Sequence, residues 1–253
     1  MTDTILSDLV NMSRNLGDPT LDYAILGEGN TSARADADTF WVKASGVSLR
    51  TLEPTGLVRV YFDRISELLE KEQLSDTEIR KGLEYARVDP GTKALPSVET
   101  YLHALLLQLD DVNFIGHTHP TAINIILCSQ KAEEAYSGSL FPDQIVVCGP
   151  APVFVPYTDP GLPLARAVRD AVNTYYDAWG QTPKMVLMQN HGLIALGKTA
   201  LDVENITAMA VKSARVIAGT YTLGGPNFLE PQQAIRIQTR PDEHYRKSIL
   251  GTR

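Results

Sequence analysis

The sequence predicts one α/β domain in which helices cover a mixed, largely antiparallel sheet. Three observations lead there. Strand-like and helix-like patterns intermix along the whole length, with pairs of strand-like runs spaced as hairpins. No internal repeat, low-complexity linker or shift in composition divides the chain. Neither a Rossmann nor a P-loop fingerprint is present, since Gly27-x-Gly29 runs into Asn30-Thr31-Ser32 without a third glycine. With 253 residues, 43% hydrophobic and 21% charged, the chain has the composition of an ordinary globular domain with a sizeable core.

Taken in order, Ile5, Leu9, Val10 and Leu16 fall at near-helical spacing and Gly17 ends that helix. Residues 27–32 read as a loop, because Gly, Asn and Ser tolerate unusual backbone angles. Phe40-Trp41-Val42 predicts a strand closed by a turn at Ser45-Gly46, and residues 57–62 a second strand leading to a helix over 63–70. Residues 76–88 form a charged surface helix that Asp89-Pro90-Gly91 breaks. Ser97 caps a helix with Val98, Leu102, Leu105, Leu106 and Leu109 on one face. Residues 112–116 form a buried strand that runs into His117-Thr118-His119, and a helix over 121–128 starts after Pro120. Strands follow at 144–148 and 153–155, then an amphipathic helix over 164–179 with Gly180 as its C-cap. Two more strands occupy 184–188 and 193–196, and Thr199 with Asp202 opens a long helix to about Tyr221. From about residue 225 the chain becomes a polar tail with room for one short helix.

The formal net charge of −7 gives no general attraction to nucleic acid or to an anionic membrane. No apolar run approaches the roughly 20 residues of a membrane span, and the acidic, amphipathic start is unlike a secretory signal. The two cysteines, Cys128 and Cys148, both sit in apolar runs and read as buried free thiols. So few cysteines argue against a disulfide framework and for a reducing, cytoplasmic compartment.

Five histidines are present, and three of them fall in two short motifs. In an extended strand, residues two apart share a face, so His117 and His119 can aim both rings at one ion. His191, in Gln189-Asn190-His191-Gly192, stands at the end of the strand predicted over 184–188. Two such strand ends, adjacent in a sheet, would bring the three imidazoles together. Neutral imidazole suits zinc first, with manganese, cobalt and iron also compatible, and three protein ligands leave a position open for substrate. An isolated His-x-His is most often a hydrogen-bonded pair, so the pattern draws its weight from its surroundings. Glu99, placed in the first turn of the helix opened by Ser97, is a candidate base beside the metal. His103 lies one helical turn on and reads as a packing residue with the option of supporting Glu99; His244 reads as solvated.

Together these residues resemble the class II aldolase/adducin family. The likeness is carried by an ordered series: Gly29-Asn30-Thr31-Ser32, Lys43-Ala44-Ser45-Gly46, Pro96-Ser97-Val98-Glu99, His117-Thr118-His119, Pro156-Tyr157 and Asn190-His191-Gly192-Leu193-Ile194-Ala195. Within the family the wording is similar to fuculose- and rhamnulose-phosphate aldolases, here as a stand-alone domain over residues 1–253. The resemblance implies a three-layer α/β/α fold, a homotetramer with sites near subunit interfaces, and a divalent metal, zinc by default, on His117, His119 and His191. It implies Glu99 as the acid/base, able to touch the metal when substrate is absent. Gly29, Asn30, Ser45, Gly46 and Ser97 would cradle a substrate phosphate, although Val98 stands where such aldolases carry a second serine. For the tyrosine that protonates the leaving aldehyde, Tyr136 and Tyr221 are candidates, and Tyr157 is expected to pack structurally. The implied activity is reversible retro-aldol cleavage of a ketose or ketose phosphate through a metal-stabilised enediolate. Relatives with the same site act as sugar-phosphate 4-epimerases or decarboxylases, and adducin-like heads are non-enzymatic binding modules. The intact histidine triplet with Glu99 favours the enzyme.

Overall fold

Val186 and Met188 point to one side of their strand, Met185 and Leu187 to the other, and all four are buried. A sheet built of such strands has to be covered on both faces. The computed structural model describes residues 2–71 and 74–240, so His244 lies outside the described residues. In chain order it contains α1 (Thr2–Leu16), β1 (Asn30–Arg34), β2 (Thr39–Lys43), β3 (Leu57–Tyr61), α2 (Phe62–Leu69), α3 (Asp76–Tyr85) and α4 (Thr100–Leu106). There follow β4 (Phe114–Thr118), α5 (Thr121–Leu127), α6 (Ala132–Ala135), α7 (Pro142–Cys148), β5 (Val153–Val155) and α8 (Leu162–Trp179). The chain continues through β6 (Met185–Met188), β7 (Gly192–Gly197), α9 (Ala200–Thr220) and α10 (Pro231–Thr239).

The strands form one seven-stranded sheet in the order β3-β2-β1-β4-β7-β6-β5. Every pairing is antiparallel except β5 with β6. Phe40, Val42, Val58, Val60, Ile115, Ile194 and Leu196 point to one face, where α2, α3, α4 and α8 close a core. Their sequence neighbours Leu57, Phe114, Leu193 and Ala195 point to the other, against α1, α5 and α9. This is the three-layer α/β/α arrangement expected. Among the described residues no helix is long and apolar enough to cross a membrane.

Several local expectations are corrected. Residues 144–148 are helical, not a strand: α7 has Pro142 in its first turn and ends at Gly149 with φ 82°. Its Ile145, Val146 and Cys148 are buried, and a short apolar run fits either element until its neighbours decide. Residues 30–32, read as loop, open β1, because Asn30, Thr31 and Ser32 pair with β4. The helix after Ser97 begins only at Thr100; the Ser97 carbonyl accepts the Thr100 N–H at 3.0 Å, a turn that leaves Glu99 as the N-cap. Val98 is therefore off the apolar face and 52% exposed. Cys128 is exposed, and only Cys148 is a buried thiol.

Candidate metal centre

The site forms where β4 ends beside the hairpin of β6 and β7. His117, in β4, shares its face of the sheet with Ile115, the face covered by α4. His119 lies one residue past the strand, anchored by its N–H on the Tyr23 carbonyl at 2.8 Å. His191 occupies the turn between β6 and β7. The ends of β4 and β6 are not adjacent as expected; β7 runs between them, with Thr118 opposite Leu193. The turn that carries His191 is what closes the gap. Asn190 takes a left-handed conformation there, φ 56°, which Asn tolerates better than most residues. A Cβ at Gly192 would come within 2.5 Å of the Thr118 carbonyl oxygen and 2.8 Å of the His119 ring. Asn124 holds the turn from α5, donating to the His191 carbonyl at 3.1 Å.

The three rings surround a common point. Their centroids lie 4.7, 4.9 and 5.1 Å apart at steep mutual inclinations, and one ligand atom from each falls within 4.8 Å of the others. The His117 Nδ1–H donates to the Leu193 carbonyl at 2.9 Å, so its Nε2 carries the lone pair. That Nε2 faces the His119 Nε2 at 3.0 Å and a Glu99 oxygen at 3.4 Å. The second Glu99 oxygen lies 3.1 Å from the His191 Nε2. Burial lowers His117 to about 4 and His119 to about 3, the neighbouring imidazoles adding to the effect at His119. At neutral pH both are therefore neutral. Burial alone would raise the Glu99 carboxyl; the imidazoles of His117 and His191 and a hydrogen bond from Asn30 outweigh it and hold it below the usual carboxylate range. Ring nitrogens and a carboxylate thus crowd about one point, at 3.0 Å between the His119 and His117 Nε2 atoms and 3.1 Å between the His191 Nε2 and Glu99. A cation at their centre relieves that crowding, and three imidazoles are the donor set of an open zinc-type site.

Around this centre the structure gives the other predicted residues definite surroundings. Gly29 has φ 65°, and a Cβ there would meet the His117 carbonyl oxygen at 2.5 Å, so glycine lets β1 close on β4. Asn30 stands opposite His117 in the sheet, with its amide nitrogen 2.6 Å from Glu99. The Ser97 hydroxyl oxygen accepts the Glu99 N–H at 3.3 Å. The Ser45 N–H is taken by the Leu95 carbonyl and the Ser97 N–H by the Lys43 carbonyl, so both amides are engaged within the fold. Gly46, φ 77°, has open space over its Cα.

Residues without an assignment from the sequence also contribute. Lys43 is buried, and its ammonium donates to the carbonyls of Val47 (2.5 Å), Ala44 (3.4 Å) and Gly27 (3.5 Å), tying the two glycine loops together. Glu28 places a carboxylate 3.9 Å from the His119 Nδ1 and lines, with Asp22, Ile25 and Asn124, a cleft of about 250 Å³ beside His119. No local pattern marks Glu28. The signal for His103 was its four-residue spacing from Glu99, and its ring meets Asn30 and Ser32. Of the tyrosines, Tyr136 is buried, while Tyr221 is 36% exposed on the turn after α9. Tyr157 does not pack in the core: it is 58% exposed, its hydroxyl 3.1 Å from Asp159.

The model of the class II aldolase and adducin N-terminal domain matches residues 7–218. No curated protein matches the chain. Among solved structures, the N-terminal class II aldolase domain of a conserved protein from Thermoplasma acidophilum is 26% identical with a TM-score of 0.65, covering 84% of this chain and 93% of that one. An L-fuculose 1-phosphate aldolase is 18% identical with a TM-score of 0.69, over 93% of this chain and 94% of the other. YgbL from Klebsiella pneumoniae, whose description spans aldolase, epimerase and decarboxylase, is 20% identical with a TM-score of 0.68, over 94% and 99%. The last two likenesses carry the fold alone.

Proposed function

Because the chain belongs to the class II aldolase and adducin N-terminal domain family, we propose that it is a metal-dependent carbon–carbon lyase acting on a ketose or ketose phosphate by a reversible retro-aldol step. The observation that supports this reading is the convergence of the His117, His119 and His191 ligand atoms within 4.8 Å, with the Glu99 carboxylate 3.1 and 3.4 Å from two of them. The three imidazoles would hold a divalent cation, zinc by ligand type, with manganese, cobalt and iron compatible. When bound, such a cation supplies Lewis-acid polarisation of a carbonyl and its neighbouring hydroxyl. Glu99, buried and ionised, takes a proton at the carbon next to that carbonyl and returns it. Ser45, Gly46 and Ser97 would receive an anionic substituent. Val98 offers an isopropyl group on the same turn, so a phosphate is held less firmly than two hydroxyls there would hold it.

We take residues 1–253 as one such domain with a polar tail from about 225, working in the cytoplasm, where its two free thiols stay reduced. Ile25 and Ile125 line the cleft beside His119, Val98 precedes Glu99, and these three with Leu26 and Tyr157 are more than half exposed. A homo-oligomer, a tetramer by the family resemblance, would cover them, and light scattering in solution measures that.

The decisive experiment uses metal analysis with kinetics on candidate ketoses and ketose phosphates. Glu99→Gln keeps its metal and loses turnover by about 10²–10⁴-fold; His119→Ala loses both. Full activity in Glu99→Gln overturns the role given to that carboxylate, and a metal-free, chelator-indifferent wild type overturns the enzyme in favour of an adducin-like binding module. The range of activities in the YgbL description favours one second reading, a 4-epimerase or decarboxylase using the same centre. Free aldehyde released from substrate selects the lyase.

A further inference from the structure

Behind Glu99 lies a chain of buried polar side chains that the proposed chemistry does not use. The Asn30 amide nitrogen is 2.6 Å from the Glu99 Oε2 and 3.3 Å from the Ser97 hydroxyl oxygen. The Asn30 amide oxygen meets the His103 Nε2. The His103 Nδ1 lies 2.6 Å from the Ser32 hydroxyl. Asn30 is 3% exposed, Ser32 0%, Glu99 8% and His103 2%, so water does not compete for these bonds.

The direction of every bond follows from the charge at one end. A carboxylate only accepts, so Asn30 must present its NH₂ to Glu99 and therefore its oxygen to His103. An amide oxygen only accepts, so the His103 Nε2 must carry the proton. In a neutral imidazole Nδ1 is then an acceptor, and the Ser32 hydroxyl donates to it. Strand alternation supplies the geometry: Asn30 and Ser32 are two apart in β1 and share the face opposed to α4, while Thr31 turns to the other face and meets Ser13 at 2.7 Å. Glu99 and His103, four apart, stack on one side of the start of α4.

We propose that Ser32, His103 and Asn30 are positioning residues that lock the Glu99 carboxylate in the orientation its proton transfer needs. This rests on the reading of Glu99 as the proton carrier. None of the three side chains is a member of the histidine triplet, so the chain acts on the carboxylate and not on the metal. The Asn30 NH₂ has two protons, and on this account Glu99 holds one of them. A carboxylate freed from it would rotate within the site, and misplacement on the ångström scale is enough to slow a reaction greatly.

The test uses the zinc-loaded protein of residues 1–253, with dihydroxyacetone and its phosphate as probes. Nitrogen NMR of selectively labelled wild type should find His103 neutral with the proton on Nε2; the Nδ1–H tautomer overturns the chain, and this readout needs no turnover. Solvent-deuterium exchange into the carbon next to the probe's carbonyl then reads the proton transfer. His103→Phe, which cannot donate to Asn30, should bind zinc like wild type and lose about 10²-fold in the exchange kcat with KM little changed. His103→Gln, which can donate, should recover most of that rate. Ser32→Ala, the gentler variant, should lower kcat in the same sense. A His103→Phe protein with zinc bound and full exchange overturns the proposal; should that variant not fold, full exchange in Ser32→Ala together with the Nδ1–H tautomer does so. Wild type with the Nε2–H tautomer and zinc bound but no exchange on either ketose sinks the lyase reading instead and leaves the hydrogen-bonded chain standing.

Discussion

At Gly192 the space for a side chain is set by the histidine cluster itself. An added Cβ would stand 2.5 Å from the Thr118 carbonyl and 2.8 Å from the His119 ring, neither of which can give way without moving one of the clustered imidazoles. Gly192→Ala should therefore cost about 1–3 kcal/mol, in the manner of overpacking, and weaken zinc binding as well. Gly219 makes the contrast. It lies inside α9 and a Cβ there meets nothing within 4 Å, so Gly219→Ala should stabilise by about 0.5–1 kcal/mol through the helix backbone alone and leave zinc affinity unchanged. Urea midpoints at constant m, with a zinc titration of each variant, check the pair. Equal stability losses in both would mean that crowding at the centre is not what Gly192 relieves. The same residue scale explains what was readable in advance. His117, His119, His191 and Glu99 stood out by residue type and spacing, and the structure brings them together. Glu28 did not, because nothing about a glutamate in a glycine-rich loop says which ring it will face.

Elements were legible where their ends carry chemistry. Thr199 and Asp202 form a reciprocal capping box at the start of α9, with bonds of 2.9 and 3.1 Å, and Gly180 closes α8 in the left-handed conformation expected of it. Two expectations failed, both near helix termini. The run Ile145-Val146-Val147 looks like a strand by its β-branched content, yet Pro142 and Gly149 delimit a helix that packs on α9; the terminal signals outweighed propensity. At Ser97 the expected cap was present, but its hydroxyl serves the Glu99 N–H and its carbonyl closes a turn, so the helix starts at Thr100. That delay puts Glu99 at the helix end instead of on its first turn, free to reach across to β1 and β4. Strand order was readable only where hairpins join chain neighbours, as in β1-β2-β3 and β6-β7. β1 pairs with β4 across some eighty residues of intervening chain, and such pairings are decided by which faces must be covered, not by any local pattern.

The molecule as a whole buries several groups that acid must charge, and this makes its stability depend on pH with a definite sign. His103 and His117 are lowered by burial from the ordinary 6.5 to about 4. Between those values the unfolded chain takes up protons that the folded one refuses, so stability is intact above about pH 6.5 and falls as pH drops toward 4. A shift of that size is worth about 3 kcal/mol per histidine at the bottom of the window, and two of them rival the roughly 5–15 kcal/mol that holds a typical domain together. Glu99 works in the same direction at lower pH: a carboxyl held below its ordinary 4.5 contributes stability above that value and loses it as pH falls. Metal-free protein should accordingly show urea midpoints that decline steadily from about pH 6.5 and unfold before about pH 4. His103→Gln cannot titrate at that position, so its decline should be shallower by about one histidine's share. Zinc-loaded protein should be more stable above pH 6.5 and fall more steeply below it, because the ligating imidazoles must stay deprotonated to keep the ion. A midpoint that stays level between about pH 7 and about pH 5 in the metal-free protein would mean that these rings are open to water, and the site that depends on their neutrality would have to be redrawn.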